Sequence, residues 1–212
     1  PWRHHRRFKV RARDQIWLAP QRDAFKAAAV ELGWPSVALA LDLAIYTVQR
    51  RADVVRMART HYQGGLLRIR QQKTGRIVHA PPPAPLRAIL DGLPADQVLF
   101  LLDEPRPPAP DGTVRPRQPY SADLLTRRFR AVLEHLGAKD PEGGWSDLQL
   151  RDTRRTSIVA LAEAGCTVPE ITSISGHDTD ECERIIETYL PRTAAMAKAA
   201  VRKWNKKLKS EG

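Results

Sequence analysis

Apolar residues recur at helical spacing along most of this chain. They alternate in strand fashion in one place only, over 66–71 and 76–80, on either side of Lys73-Thr74-Gly75. A chain patterned this way has one hairpin's worth of sheet and must build its core from helices. The expected fold is therefore mainly α with a small antiparallel β-sheet. Proline and glycine punctuate the rest. Pro20 opens a helix through Leu32 that Gly33 closes. Ser36 begins a buried Ala/Leu-rich helix reaching Tyr46, and 51–57 reads as a further short helix. Pro81-Pro82-Pro83 stops the hairpin; a helix over 84–90 and a short apolar strand over 98–102 follow. The Pro- and charge-rich stretch 103–119 predicts a mobile loop. Ser121 caps a helix with Leu125, Phe129, Val132, Leu133 and Leu136 on one face, closed by Gly137. Another runs over 148–164 to Gly165, and Thr167 with Glu170 forms a capping box for a short helix ending near Gly176. Thr179 caps the next, which carries Tyr189 near its end before Pro191. The last segment, 193–209, sets Met196, Ala199, Ala200, Trp204 and Leu208 against Lys198, Lys203, Lys206 and Lys207.

Charge narrows the partner. Lys and Arg number 35 against 24 Asp and Glu, a net charge of +11. Such a balance favours a polyanion, because each neutralised phosphate releases counterions. A basic enzyme with no nucleic-acid role is the competing reading. A membrane fits less well: the longest apolar-leaning stretch, 36–48, is too short to span and contains Asp42. No basic helix carries a broad face of bulky anchors. Two cysteines, Cys166 and Cys182, make neither a disulfide framework nor a metal-ligand spacing, and Cys166 reads as a small buried side chain after a helix end. A reducing, cytoplasmic setting suits them. The basic, aperiodic stretch 1–14, with His4 and His5 among arginines, looks like an arm facing DNA. A first residue other than Met and no signal pattern suggest a piece of a longer chain.

Three separated segments place groups suited to a phosphodiester. In Thr47-Val48-Gln49-Arg50-Arg51-Ala52-Asp53, an Arg at the mouth of a helix offers its planar fork to phosphate oxygens, and an acid three residues on fixes its rotamer. By itself this is also an ordinary surface ion pair. The second is Arg151-Asp152-Thr153-Arg154, followed after a helix by Gly176-His177; the third is Tyr189, twelve residues beyond His177. Each has a plainer alternative: Tyr189 packing near a helix end, Lys73 as a hairpin-turn residue, His177 as a helix cap. His61, His79 and His135 show no partner spacing and read as surface residues.

The block RDTRRTSIVALAEAGCTVPEITSISGH, from Arg151 to His177, resembles one found in the tyrosine recombinase (phage integrase) family. There a His-x-x-Arg pair precedes a Leu-Ala-Glu-Ala-Gly helix and a Gly-His. The order Arg, hairpin Lys, x-x-x-Arg, Gly-His, Tyr follows the family pattern over about residues 36–193. The resemblance implies the mainly α catalytic fold of DNA breaking-rejoining enzymes over 20–193, a linker or arm at 1–19 from an N-terminal DNA-binding domain, and a basic tail at 194–212. It implies that Arg50 and Arg154 hold the scissile phosphate, with His177 adding a hydrogen bond. Lys73 protonates the leaving 5′ oxygen, Asp53 supports Arg50 and its helix, and Tyr189 attacks to form a 3′-phosphotyrosine. Arg51 and Arg155 read as contacts to the DNA backbone. The partner is double-stranded DNA, with a homo-tetramer on DNA and a monomer in isolation. No cofactor is implied, because bond energy is kept in the phosphotyrosine, and the sequence offers no carboxylate cluster for a metal.

One position departs from the pattern. Where the family usually has His, this chain has Arg151, which binds phosphate but stays protonated and cannot be a general base. His177 and water remain as acceptors for the phenolic proton. Two rival functions share these residues: a tyrosine-type topoisomerase, and a non-catalytic DNA-binding relative. The last segment is either a solvated amphipathic helix or a surface that docks on a neighbouring protomer.

Overall fold

Helix α2 (Pro35–Thr47) is apolar all round and buried on nearly every side, as the Ala/Leu-rich sequence requires. Its one acid, Asp42, pairs with Lys26 at 3.4 Å, while burial pushes its carboxyl up from the usual range. The computed structural model describes residues 15–190 and 194–210. The arm over 1–14 with His4 and His5, Pro191, and the side chains of Met196, Ala199 and Lys206 lie outside the described residues.

Around α2 pack α1 (Ala19–Glu31), α4 (Ala84–Asp91), α5 (Ala122–Lys139) and α6 (Asp152–Glu163). Trp17, Phe25 and Phe129 meet here, Trp17 edge-on to both others at 5.4 and 5.7 Å between centroids. Rings of this size each stabilise by about 1.5–3 kcal/mol on burial. Ordered packing thus reaches back to Trp17, within the stretch read as an arm; its backbone N–H donates to Thr156 Oγ1 at 2.9 Å and its indole N–H to the Gln149 carbonyl at 3.1 Å. A second, smaller cluster of Val48, Ile158, Ile171 and Cys182 lies between α6, α7 (Val168–Ser175) and α8 (Thr179–Tyr189). Cys182 is fully buried there, whereas Cys166, read as buried, is half-buried at its edge.

The hairpin is β2 (Leu66–Arg70) paired with β3 (Ile77–Ala80), in register Leu67 with Ala80 and Ile69 with Val78. The sequence reading missed a third strand, β1 (Tyr62–Gln63), which pairs with β2. It is two residues long, too short for periodicity to register. The expected strand over 98–102 does not form; Leu99 and Leu102 make single bridges to Ala58 and Pro119. The segment expected to be a mobile loop is held at its base, where buried Asp103 accepts from the Gln118 backbone N–H and pairs with Arg106.

Helix α3 (Arg51–Val54) is a single turn, shorter than expected, and α5 runs two residues past Gly137 to Lys139. α6 begins at Asp152, not 148, because Trp145–Asp147 forms a separate 3-10 turn; Arg151 therefore stands at the helix mouth. Asp178, not Thr179, is the residue before α8. α9 (Ala194–Ser210) leaves Val201, Trp204 and Leu208 exposed and is tied to the body by Lys203 Nζ, which donates to the Gly165 carbonyl at 3.1 Å. Among the described residues no helix is long and apolar enough to cross a membrane.

Candidate active site

The two hydrophobic clusters meet at the C-terminal end of α2, and the polar site sits at that seam. Val48 ends α2 with φ +58°, the one described non-glycine residue in left-handed conformation. A β-branched side chain resists that geometry. Burial of Val48 in the second cluster offsets the strain, and its carbonyl accepts from Arg154 Nη1 at 2.8 Å. The reversal of the chain here puts Gln49 inward and Arg50 at the mouth of α3.

Arg154 comes from the first turn of α6 and is buried. Its Nη2 donates to the Ser175 carbonyl at 3.1 Å and lies 2.9 and 3.1 Å from the two ring nitrogens of His177. A neutral imidazole has one acceptor nitrogen, so one of those two contacts is the hydrogen bond and the other nitrogen carries the proton. Desolvation first, then Arg50, lower the Arg154 pKa to about 10, leaving it charged at neutral pH. The His177 pKa falls to about 3, from desolvation first and then from Arg154 and Arg50. His177 is therefore a neutral hydrogen-bonding group beside two permanent cations. Gly176, at φ +65°, ends α7 and turns the ring toward Arg154.

The hairpin docks on this cluster through Gln71, the residue after β2. Its Oε1 accepts from Arg50 Nη1 at 3.4 Å, and its Nε2 donates to Gln49 Oε1 at 2.7 Å and the Ser175 carbonyl at 2.8 Å. Gln71 and Gln49 are the buried polar residues that sequence reasoning passed over. A signal existed for Gln71, since alternation through Leu67 and Ile69 puts it on the inward face. Asp53, expected to brace Arg50, instead accepts from the Gln72 backbone N–H at 2.7 Å and so holds the hairpin. Beside the cluster opens a cavity of about 920 Å³ lined by Arg50, Arg51, Arg151 and Arg154 together with Phe129 and Leu133. Among the described residues no three His, Cys, Asp or Glu side chains group as metal ligands would.

No family model and no curated protein sequence matches this chain. Solved structures do. A lambda integrase dimer bound to a COC′ core site superposes with a TM-score of 0.61 at 18% identity, over 87% of this chain and 51% of that one. The Tn1549 transposon integrase in complex with circular intermediate DNA gives 0.63 at 13% identity, over 89% of this chain and 64% of that one. XerA recombinase gives 0.56 at 13% identity, over 89% and 65%. The fold is that of the tyrosine recombinase catalytic domain. The chain spans about half to two thirds of the length of these solved recombinases.

On this recombinase fold the expected site residues divide into two groups. Arg50, Arg154 and His177 converge, and Arg151 stands exposed in the lining of the cavity that Arg50 and Arg154 also line. Lys73 and Tyr189 are not among the residues that line that cavity. Lys73 is exposed on the hairpin turn. Tyr189 is the last residue of α8, half-buried, with its ring 5.9 Å from the Arg155 guanidinium, and the cavity lining does not include it. Arg155 thus faces the tyrosine and reaches the Gln15 carbonyl at 3.5 Å, while Arg51 donates to Thr126 Oγ1.

Proposed function

We propose that this chain cleaves and rejoins double-stranded DNA as a site-specific recombinase of the integrase type, moving a phage or other mobile element. The observation that carries the reading is the convergence of Arg50, Arg154 and His177, from the starts of α3 and α6 and the end of α7, beside a cavity lined by several arginines. Two charged guanidinium groups and a neutral imidazole suit a phosphodiester, whose transition state carries more charge than its ground state. The solved relatives in fold include a lambda integrase tetramer bound to a Holliday junction, which accords with a DNA substrate.

In this reading Arg50 and Arg154 bind the non-bridging oxygens, His177 gives its remaining N–H, and Arg151 adds a further phosphate contact. The Tyr189 oxygen attacks phosphorus and the bond to the 5′ oxygen breaks. Lys73 delivers the proton that makes that oxygen a hydroxyl. Attack by a second strand's 5′ hydroxyl on the phosphotyrosine reverses the step and rejoins the DNA, so bond number is conserved and no external energy source enters. Arg151 cannot take the phenolic proton. Desolvation first, and then Arg154 and Arg50, leave His177 with little basicity, and a bound phosphate anion offsets only the charge of the arginines; water is the other acceptor. Residues 1–19 are read as the link from a DNA-clamping domain and 194–212 as a tail. The exposed Val201, Trp204 and Leu208 of that tail suit contact with a neighbouring protomer in a tetramer on DNA.

A second reading, a DNA-binding relative without catalysis, is favoured by Arg151 and by the placement of Tyr189 against Arg155. Covalent trapping separates the two. Full-length protein, wild type and Tyr189→Phe, is mixed with labelled nicked DNA from the flanks of its gene, denatured and run on a gel. The recombinase reading expects an adduct with wild type and none with the variant. An adduct that persists in Tyr189→Phe removes Tyr189 as nucleophile. Tight binding with no adduct in either protein favours the binding module.

A further inference from the structure

We infer that Gln71 is a positioning residue whose buried carboxamide locks the turn carrying Lys73 to the Arg50–Arg154–His177 cluster, and so sets where the proton donor stands relative to the phosphate. This rests on the recombinase reading and names a part of its site that neither the sequence motifs nor the fold assigns.

The connection is fully specified by hydrogen bonding. Gln49 Nε2 donates to the carbonyls of Thr47 at 2.7 Å and Ile174 at 2.9 Å, two orphan carbonyls at the ends of α2 and α7. Its Oε1 must therefore accept, and Gln71 Nε2 supplies that bond together with one to the Ser175 carbonyl. The outward Oε1 of Gln71 is then an acceptor, and it takes Thr74 Oγ1 at 2.8 Å and Arg50 Nη1 at 3.4 Å. Both donors and both acceptor positions of the amide are used, and neither amide can flip without facing like against like. The backbone of Gln71 closes the same turn: its N–H donates to the Arg76 carbonyl and its carbonyl accepts from Gly75, both at 2.8 Å. Lys73 lies in the middle of the loop so pinned.

Close packing says the same. Gln71 is fully buried, in an inward position that follows Leu67 and Ile69. A methionine or leucine would fill that space without the cost of desolvating an amide. A Cβ on Gly176 would lie 2.6 Å from Gln71 Nε2, so the Gly176-His177 segment rests directly on the amide. A polar side chain kept at a core position is explained by what it connects, and here it connects the general acid's turn to the phosphate-binding groups.

The test measures adduct formation by full-length protein on two nicked DNA substrates, one ordinary and one with sulfur replacing the leaving 5′ oxygen. A thiolate leaves without a proton, so the second substrate bypasses Lys73. Lys73→Ala should be slow on oxygen and recover on sulfur. Gln71→Met, which keeps volume and removes the hydrogen bonds, should be about 10²-fold slower than wild type on oxygen. On sulfur it should come within about threefold, with DNA affinity near wild type. Gln71→Glu gives a second readout that does not depend on the Met variant folding. Its ionised carboxylate faces the Ser175 and Gln49 oxygens, and its protonated form restores a donor, so its activity relative to wild type should rise as pH is lowered. The inference is overturned if Gln71→Met matches wild type on oxygen, or is equally slow on both substrates, or if the Glu variant keeps one ratio to wild type at every pH. Lys73→Ala that stays slow on sulfur strikes the Lys73 assignment itself, and absence of any wild-type adduct strikes the recombinase reading.

Discussion

At Arg154 and His177, burial and charge act in the same direction. The guanidinium cannot readily lose its proton, so the imidazole gives way, and its pKa falls from 6.5 to about 3. The folded protein therefore binds fewer protons at this site than the unfolded chain between those two values. The contribution to stability is complete above pH 6.5 and is lost as pH falls through that window, with a slope approaching about 1.4 kcal/mol per pH unit. His177→Gln removes the titration. In urea melts of the two proteins from pH 7.5 to 4.5, the stability of wild type relative to the variant should decline as pH drops. A constant difference would mean that His177 titrates in the folded protein as it does in the unfolded chain. Phosphate bound at the cluster supplies the negative charge that Arg50 and Arg154 lack, so DNA should shift the window upward.

At the scale of elements, the site is an assembly of helix ends. α2 and α7 bring their C-terminal carbonyls to one point, α3 presents Arg50 at its N-cap, and α6 presents Arg151 at its N-cap and Arg154 in its first turn. Opposed carbonyls need donors, and Gln49, Gln71 and Arg154 provide them. α7 is short, with eight residues, and carries Ser175, Gly176 and His177 at its end. Its other end is held by the Thr167–Glu170 capping box, in which the Thr167 backbone N–H donates to the Glu170 carboxylate at 2.6 Å. Thr167→Ala should cost about 1 kcal/mol in denaturant unfolding. Because fraying of α7 loosens His177 rather than the basic surface, the same variant should slow adduct formation more than it weakens DNA binding. Equal losses in both would place α7 outside the chemistry.

For the whole molecule, the net charge is +11. Arg51, Arg130 and Arg151 line the cavity beside Arg50, and the outer face of the hairpin adds Arg68 and Arg70. Affinity for duplex DNA, followed by fluorescence anisotropy, should fall linearly with the logarithm of salt concentration, by about 0.9 for each phosphate neutralised. Arg51→Ala should lower that slope by about one while weakening binding to all sequences alike. A slope unchanged by the substitution would move the DNA path away from the cavity.

Much of this architecture was legible in the chain itself. Helical periodicity, the Pro20 and Gly33 boundaries, the Ser121 and Thr167 caps and the alternation around Lys73-Thr74-Gly75 are local interactions, written within a few residues of one another, and the elements formed where they indicated. The convergence of Arg50, Arg154 and His177 was also anticipated, through motif order. That Arg151 cannot serve as a base was a matter of residue chemistry alone. Tertiary structure decided what joins the pieces: Asp53 bracing the hairpin rather than Arg50, the strained Val48 aiming its carbonyl at Arg154, and Tyr189 lying against Arg155. It also decided the Gln49–Gln71 link, whose bonds to Ile174 and Ser175 span 125 and 104 residues of sequence. Such contacts carry no periodic signature. They arise because buried helix ends must satisfy their carbonyls, and which side chain does so depends on how the helices meet.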